Sequence, residues 1–531
     1  MNSIVNGATV YKTGSSDSSE ASSVYPSLQD AIADANNIAV GDIFQTNGFN
    51  SNNDGGAARY LVTDSGTANG MDIVSLGPGK LAVLQFIQEA APEQIGYSYG
   101  IDVVPYISRL ISIGVVRIRL ILKYTWKTTL TLTTRGIDFV GNSPFTLPAS
   151  SLINVNLNAG VTCAVALRAQ NIRFENLYFY NAKGNPGDET AVECDWIDDS
   201  ANNYKITFRR VRFVSFHRGV YFHGRLPWHI TFDDVVLGWC DYGVEFSANS
   251  SILYFRDVHT SGCYICGIDI KGATQGVTFE QCNFGSYGNA IHFEKLGQHL
   301  NQEDAFVGCN FELDKLDIDP DTKNVFIEVD NGIRVALNFS ACNFVITKNS
   351  MLTIPAGMRF IQLGDATTLK MSACIIEDDL AGDIHLDRLI DEQRPPLNEV
   401  GAISVDSTTF GFVVPNFGIN YRGCVVTSKE SYNNSIDVST YAGATLSDYA
   451  AADCDDVVPS TYGAEITAEV NSFSGTANMP TGVTGFGILH SALLVNGTRC
   501  IQYMMCGNGT VHLRRAIRNT LSDPWTWDPW T

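Results

Sequence analysis

The segment KITFRRVRFVSFHRGVYFHG (205–224) recurs three more times, in altered form, before residue 296. The later copies are HITFDDVVLGWCDYGVEFSA (229–248), ILYFRDVHTSGCYICGIDIK (252–271) and GVTFEQCNFGSYGNAIHFEK (276–295). Their phenylalanines, Phe208, Phe232, Phe255 and Phe279, recur at spacings of 24, 23 and 24 residues. A fixed period of this length indicates a stacked repeat, in which each unit buries its apolar side against its neighbours.

The pattern around these repeats favours one repeat architecture over others. From about residue 116 to 410, short strands alternate with turns, and no helical stretch is long enough for a βαβ unit. A propeller blade needs about 40–50 residues, and a leucine-rich repeat shows an LxxLxL frame that is missing here. The sequence therefore predicts an all-β chain built on a single-stranded, right-handed parallel β-helix of about ten coils.

The residue composition and hydrophobic pattern change three times along the chain, which predicts four segments. Residues 1–40 are an arm rich in Ser, Gly and Asn that ends in one short helix, and residues 41–100 are a small β module. Residues 101–430 are the β-helix, with a second helix expected over 103–115. Residues 431–531 are a separate β domain, because the open end of a β-helix exposes an unpaired sheet edge that needs a cap.

Composition and charge limit the classes of function that the chain can have. The net charge is −21 over 531 residues, which argues against nucleic acid as a partner because phosphate binding needs clustered Lys and Arg. No run of 18 apolar residues occurs and the first 20 residues have no apolar core, so we expect neither a membrane span nor a signal peptide.

The 13 cysteines predict a buried column, not a disulfide framework. Cys282, Cys309, Cys342 and Cys374 align with inward valines of earlier coils, where a thiol serves as a small apolar group. Cys263-x-x-Cys266 has half the spacing of a zinc site, but no second CxxC or HxxxH accompanies it. We therefore expect no metal and no cofactor.

Two further stretches carry a resemblance to a known family. The segment AVGDIFQTNGFNSNNDGGAARYLV (39–62) resembles the module that joins arm and β-helix in bacteriophage tailspikes, especially capsular polysaccharide depolymerases with a pectate-lyase-like β-helix. The tail GNGTVHLRRAIRNTLSDPWTWDPWT (507–531) is similar to the knob-like domains that end many phage fibres. The FGAxGDGxxDDT motif that many such proteins carry before the first coil is replaced here by YGIDVVPYISRLIS.

The resemblance implies a function and partners. It implies a homotrimer on the tail of a virion, attached through its N-terminus to the tail or an adaptor protein and acting outside the host cell. Its substrate would be a bacterial surface polysaccharide, and its C-terminal domain would serve trimerisation or glycan binding.

The repeat register predicts which distant residues are neighbours in space. In the strand after Gly219, Gly243 and Gly267, alternate residues point inward, so the residues between them face outward. One outward column is Glu193, Tyr221, Glu245, Asp269 and His292, and the next is Asp195, His223, Ser247, Lys271 and Glu294.

The first column offers carboxylates at spacings that suit glycoside hydrolysis. Glu245 and Asp269 lie on neighbouring coils, at about 4.8 Å, close to the ~5–5.5 Å of a retaining pair. Glu193 is an alternative partner for Glu245 in an inverting mechanism. The two residues are two coils apart, at about 9.6 Å, near the upper end of the ~6.5–9.5 Å range of inverting pairs. We therefore predict Glu245 and Asp269 as the acid/base and nucleophile or base of a hydrolase.

Two alternatives stay open at this stage. In a polysaccharide lyase, Tyr221 or His292 would abstract a proton beside a uronate neutralised by Arg218 or Lys271. In a non-catalytic receptor-binding spike, the same surface would hold the glycan without cleaving it. The residues predicted to bind substrate in any of these readings are Trp196, Arg218, His223, Trp239, Asp241, Tyr242, Lys271 and Glu294.

Overall fold

The structure is a computed structural model of the chain. It describes residues 23–378 apart from short gaps, and beyond them a set of separate strands between residues 3 and 10 and between 388 and 529. The gaps are 86–87, 145–150, 185–187, 196–202, 225–226, 248, 273–275, 286–287, 295–302, 314–324, 331–334, 347–358 and 365–366.

The chain forms two compact units. The first comprises residues 1–225 and 230–236, and the second comprises residues 226–229 and 237–531. The first begins with a two-stranded ribbon, Ser3–Val5 and Ala8–Val10, and a mostly antiparallel five-stranded sheet with a short helix, Leu28–Ala33. The strands of that sheet are Ser23–Tyr25, Ile43–Thr46, Ala58–Thr63, Ile73–Gly77 and Lys80–Gln85.

The Asp-Gly-Gly motif of this module is a compact turn organised by one carboxylate. Asp54 accepts hydrogen bonds from the backbone N–H groups of Phe49, Asn50, Ser51 and Gly56, at 2.7–3.0 Å. A Cβ at residue 56 would lie 2.5 Å from a backbone carbonyl oxygen, so only glycine fits there. The motif is therefore a structural requirement of the turn.

The repeat region is a parallel β-helix, as the period predicts. In one of its sheets, which we call sheet A, each coil contributes one strand that pairs in parallel with the strand of the next coil. Sheet A has four strands in the first unit: Leu130–Leu132, Cys163–Leu167, Thr190–Cys194 and Arg218–Phe222. It has seven in the second: Tyr242–Phe246, Cys266–Ile270, Asn289–Phe293, Val325–Val329, Arg359–Leu363, Arg388–Glu392 and Ile419–Asn420.

The rest of each coil lies in a second sheet, which we call the bent sheet. Its first-unit strands are Glu89–Ala90, Arg117–Arg119, Tyr124–Trp126, Asp138–Val140, Leu152–Val155, Ile172–Asn181 and Asn203–Val214. Pro227–Gly238 follows them along the chain. Its second-unit strands are Ser251–Arg256, His259–Ser261, Val277–Glu280, Asn283–Gly285, Glu303–Val307, Asn310–Leu313, Ala336–Ser340, Asn343–Ile346, Thr368–Ser372, Ile375–Asp378, Ala402–Asp406, Thr409–Phe410, Val425–Lys429, Tyr432–Asn433 and Ile436–Asp437.

In eight successive coils, from that of Asn176 to that of Ala373, one residue turns the bent sheet through its corner. This residue has a left-handed backbone, with φ between 50° and 62°, and the next residue is buried in the core. The left-handed conformation costs most side chains free energy, and the corner imposes it on charged, polar and alanine residues alike. The left-handed residues are Asn176, Arg210, Asp234, Asp257, Gln281, Gly308, Ala341 and Ala373.

The core consists of stacked columns of equivalent residues. The Phe208 and Phe232 rings stack at 5.0 Å in the first unit, and the Phe255 and Phe279 rings stack at 4.8 Å in the second. The predicted cysteine column is also buried, and each Sγ lies 3.3–3.6 Å from a backbone carbonyl oxygen of the preceding coil. A thiol in this column therefore fills space and caps a carbonyl. The four cysteines are Cys282, Cys309, Cys342 and Cys374.

Elements outside the β-helix agree with the sequence pattern. The second helix is Val104–Ser112, within the predicted 103–115. The C-terminal region contains an antiparallel five-stranded sheet, Glu465–Asn471, Phe486–Leu494, Arg499–Cys506, Val511–Ile517 and Thr526–Trp527. In the part of the chain that the structure describes, no helix has the length and apolarity to cross a membrane. The segment boundaries at residues 40, 100 and 430 stay predictions.

A carboxylic acid occupies one inward position of the core. Asp304 pairs in register with the buried Leu337 and is itself fully buried. Its Oδ1 accepts a hydrogen bond from the Val277 backbone N–H at 2.9 Å, while its Oδ2 has no hydrogen-bond partner among the described residues. Burial raises the pKa of Asp304 to about 7.

Replacing a corner alanine by glycine should stabilise the protein. Ala341 and Ala373 are exposed with φ of 52° and 53°, a conformation that glycine adopts without a steric penalty. We expect Ala341→Gly or Ala373→Gly to raise the free energy of unfolding by about 0.5–1 kcal/mol each, measured as a rise in Tm. Ala305→Gly, in a strand without positive φ, is the matched control and should lower Tm. A fall in Tm for both corner variants would contradict this reading of the bend.

Asp304 should make stability fall as pH rises from about 4 to about 7. In this window the folded state holds a proton that the unfolded chain has released, because the folded pKa is about 7 against 3.8 for the model carboxyl. The stability of the wild type relative to Asp304→Asn, which cannot ionise, should therefore decline up to pH 7 and then level off. Thermal melts of both proteins from pH 4.5 to 8 measure this, and parallel curves would exclude the effect.

Candidate functional site

The alternation predicted for sheet A is present. Val244, Phe246, Ile268 and Ile270 are buried in the core, and the carboxylates between them lie on the opposite face. A Cβ at Gly243 would lie 2.4 Å from the carbonyl oxygen of the equivalent glycine in the next coil. Glycine is therefore required at position 243, where the chain enters this strand.

Glu245 and Asp269 are paired in register, as predicted, but both are only 2% exposed. Lys271 lies across them, with its Nζ 3.3 Å from Glu245 Oε1, from Asp269 Oδ2 and from Glu294 Oε2. Ser247 donates a second hydrogen bond to Glu245 Oε1 at 2.9 Å. The outward face at this point is therefore a covered charge network, whereas the sequence predicts open carboxylates.

Lys271 serves this network as an internal cation. Burial lowers its pKa, but the surrounding carboxylates outweigh that effect and raise the pKa well above its usual value. The ammonium also lies 5.4 Å from the centre of the Tyr242 ring. The predicted uronate contact of Lys271 would therefore compete with three carboxylates already in place.

His292 joins the network one coil further on. It pairs in register with Asp269 on one side and Glu328 on the other. Its Nδ1 lies 3.2 Å from Asp269 Oδ1 and its Nε2 lies 3.4 Å from Asp330 Oδ1. Burial lowers the pKa of His292, but the surrounding carboxylates, Asp269 first, raise it above its usual value on balance.

The first unit holds a second group of predicted residues, and these are accessible. Glu193 pairs in register with Tyr221, and Glu193 Oε1 forms a 2.7 Å hydrogen bond with His223 Nε2. The side chains of Glu193 and His223 are 26% and 33% exposed. Hydrogen bonding and charge from His223 hold the pKa of Glu193 below its usual value. We call this group, with Arg218 and Asp195, the Glu193 cluster.

Aromatic and cationic groups border the Glu193 cluster. The Tyr221 and His223 rings stack at 4.5 Å, and the Arg218 guanidinium lies 4.4 Å from the centre of the Tyr221 ring. Arg168 donates two hydrogen bonds to Asp195, at 2.7 and 2.6 Å. The cluster therefore offers a partly exposed carboxylate, a flat ring surface and fixed positive charge.

The remaining predicted residues take different positions. Trp239 is 53% exposed and has a left-handed backbone with φ 49°, which is unfavourable for a bulky side chain. Asp241 accepts backbone hydrogen bonds from Ile265 and Cys266 at the turn before sheet A. Burial raises the pKa of Tyr242. Trp196 lies outside the described residues.

Two members of the His292 network were not predicted from the sequence. Glu328 and Asp330 continue the column, but 36 residues separate His292 from Glu328 instead of the usual 24. The signal was present as Ile-Glu-Val-Asp (327–330), which repeats the alternation of Ile-His-Phe-Glu (291–294). A search for the alternation alone, without the period, finds both.

Comparison with known proteins gives a fold but no close relative. No family model matches the sequence, and no curated protein matches it. The enzymatically active domain of tailspike protein 2 of bacteriophage CBA120 is similar in structure, with a TM-score of 0.53 and 10% identity over 94% of this chain and 79% of that chain. The chain has a tailspike fold.

Two further structures, one of the full-length tailspike protein 2 and one of a different tailspike, support this assignment of the fold. The full-length tailspike protein 2 of an Escherichia coli O157:H7 bacteriophage has a TM-score of 0.50 and 10% identity, over 94% of this chain and 70% of that chain. The gp42 tailspike of an Acinetobacter phage has a TM-score of 0.50 and 12% identity, over 94% of this chain and 92% of that chain.

Removing the ammonium of Lys271 should destabilise the protein strongly. In Lys271→Met the apolar stem stays, but the buried carboxylates lose their shared countercharge, at a cost of about 3 kcal/mol. We expect a lower Tm, partly restored when Glu245→Gln is added because one of the like charges is then removed. Lys370→Met, on an exposed strand position, is the control. An unchanged Tm in Lys271→Met would show that the network is not a structural unit.

Proposed function

We propose that the chain is a phage tailspike depolymerase that cleaves a bacterial capsular polysaccharide, with hydrolysis at the Glu193 cluster. The observation that carries the proposal is the accessible Glu193–His223 pair on sheet A. A similar tailspike structure is that of an enzymatically active domain, which supports an enzyme on this fold. The resemblance of residues 39–62 and 507–531 supports the capsular substrate.

The chemistry of the cluster suits attack by water on a glycosidic bond. Because its pKa is held low, Glu193 is ionised near neutral pH and fits the base that activates the water. Asp195, two residues further on the same face, is already engaged by two hydrogen bonds from Arg168, which leaves no acid of an inverting pair at that position. Among the described residues, His223 is within hydrogen-bond reach of Glu193 and can donate a proton.

The burial of Glu245 and Asp269 favours a supporting role for them over direct contact with the glycan. A sugar that reached these carboxylates would have to displace Lys271, which both of them already bind. Direct catalysis by the two residues remains the prediction from the sequence. Depolymerase activity measured for Glu245→Gln, Asp269→Asn and Glu193→Gln decides whether catalysis lies at Glu245 and Asp269 or at the Glu193 cluster.

One specific observation supports the alternative hypothesis of a polysaccharide lyase. The Arg218 guanidinium over the Tyr221 ring could neutralise a uronate carboxylate while the phenol, once ionised, abstracts the neighbouring proton. The products separate the two reactions, because β-elimination leaves a double bond that absorbs ultraviolet light and hydrolysis leaves only a new reducing end.

The biological setting follows from the same proposal. We infer a homotrimer on the virion tail that is attached through its N-terminal residues and adheres to the host capsule. Trp239, exposed in an unfavourable backbone conformation, is suited to stack on a sugar ring.

Glu193→Gln should reduce depolymerisation by about 10²–10⁴-fold, because the amide cannot act as a base. Reducing-end release from purified capsule, followed together with absorbance of unsaturated products, measures the loss and the reaction type. Glu175→Gln is the matched control, since Glu175 is an ion-paired carboxylate on the bent sheet of the same unit. Full activity in Glu193→Gln would remove the cluster from catalysis. A wild type that binds capsule without releasing oligosaccharides would make the protein a receptor-binding spike.

The His223 hydrogen bond should set the acid limb of the pH profile. His223→Phe keeps a ring against Tyr221 but removes the donor and the charge, so the pKa of Glu193 rises. The acid limb of kcat/KM should therefore move to higher pH, because Glu193 becomes protonated at a higher pH. Profiles of both proteins between pH 3.5 and 8 test this, and an unmoved acid limb would separate Glu193 from the rate.

A further inference from the structure

Three carboxylates of the second unit converge around one imidazole. We call Asp269, His292, Glu328 and Asp330 the His292 cluster. One nitrogen of His292 and one oxygen each of Glu328 and Asp330 all lie within 4.8 Å of one another. Separations of this size suit three donors about 2.0–2.3 Å from a shared ion.

The ring of His292 is oriented from behind by a buried carboxylate. Asp269 is only 2% exposed. Among the described residues, its Oδ1 has no hydrogen-bond partner apart from His292 Nδ1, which lies 3.2 Å away. A proton on Nδ1 leaves the lone pair on Nε2, which faces Asp330 at 3.4 Å. This carboxylate–histidine arrangement is the one that orients metal-binding imidazoles in proteins.

The buried carboxylate of Glu328 is also fixed in position. Asn289 Nδ2 donates to Glu328 Oε2 at 2.7 Å, and Gln362 Nε2 donates to Glu328 Oε1 at 3.4 Å. Asp330, on the same strand face, is partly exposed, with 30% of its side chain open to solvent. The cluster therefore has a rigid inner side and one open side, through which an ion and its water ligands can enter.

The region concentrates negative charge. Glu245, Asp269, Glu294, Glu328 and Asp330 are five carboxylates, three of them only 2% exposed. Among the described residues, Lys271 contacts Glu245, Asp269 and Glu294, each at 3.3 Å. Like charges this close repel one another, so a bound cation would stabilise them.

We propose that His292, Glu328 and Asp330 bind one divalent transition-metal ion, Mn²⁺ or Zn²⁺, with Asp269 as the outer partner of the histidine. One imidazole nitrogen and two carboxylates suit these ions, whereas Ca²⁺ and Mg²⁺ favour oxygen donors throughout. The site goes beyond the proposed depolymerase activity and does not depend on it, because none of its ligands belongs to the Glu193 cluster.

Metal binding by the full-length protein tests the site without an activity assay. Protein dialysed against EDTA is equilibrated with MnCl₂ or ZnCl₂, and bound metal is counted by mass spectrometry after gel filtration. We expect one ion per chain, a higher Tm in its presence, and coupling to an imidazole nitrogen in the pulsed EPR spectrum of bound Mn²⁺. Ca²⁺ should bind at least about tenfold more weakly.

Matched variants decide whether this cluster is the place of binding. Asp330→Asn and His292→Gln should each weaken binding about 10–100-fold or more, and Glu328→Gln is a further variant should either fail to fold by circular dichroism. Asp257→Asn, an exposed carboxylate at φ 53° in the coil of Asp269, should bind like the wild type. A wild type that retains no ion, folded ligand variants that bind as tightly as the wild type, or Ca²⁺ binding as tight as Mn²⁺ would overturn the proposal.

Discussion

The left-handed residue at the corner of successive coils, from Asn176 to Ala373, is the constraint on which this part of the β-helix depends. It bends the strand so that the following residue enters the core, and this fixes the inward and outward phases of the rest of the coil. Among the described residues, eight occupy equivalent positions, although they range from arginine to alanine and only one is glycine. Because the conformation is imposed at the corner irrespective of side chain, the free energy for it comes from the stacked core. Phenylalanine columns on either side of the bend supply that packing, with Phe208 stacked on Phe232 before it and Phe179 stacked on Phe213 after it.

The outward face of sheet A divides into two kinds of surface. In the first unit, Glu193 and His223 are partly exposed to solvent and hydrogen-bonded to each other. In the second, Glu245 and Asp269 are covered by Lys271, so that carboxylates of successive coils are held together by one ammonium. Parallel stacking repeats like charges every 4.8 Å or so, which favours cations between them. Such a face is suited to chemistry where it stays open and to ion binding where it closes.

The period of the sequence predicts the fold, the strand register and the buried cysteine column, because each follows from local alternation repeated along the chain. The pairing of Glu245 with Asp269 came from that register alone. Their burial did not, since it depends on how Lys271 folds across neighbouring coils, and side-chain direction is not a property of the period. Glu328 and Asp330 were missed because their coil is longer, and Asp304 because a carboxylic acid at an inward position contradicts the alternation that guides such a reading.

The buried thiols carry a consequence for the chemical lifetime of the molecule. Cys194, Cys263 and Cys266 are free and enclosed by the core, and burial raises the pKa of each thiol well above its usual value. Oxidants attack the thiolate, so these groups react slowly even where no cellular reductant is present. These cysteines can therefore stay free for a long time under oxidising conditions without forming disulfides, sulfenic acids or mixed adducts. The durability of the chain in air would then be set by the rate at which the coils open.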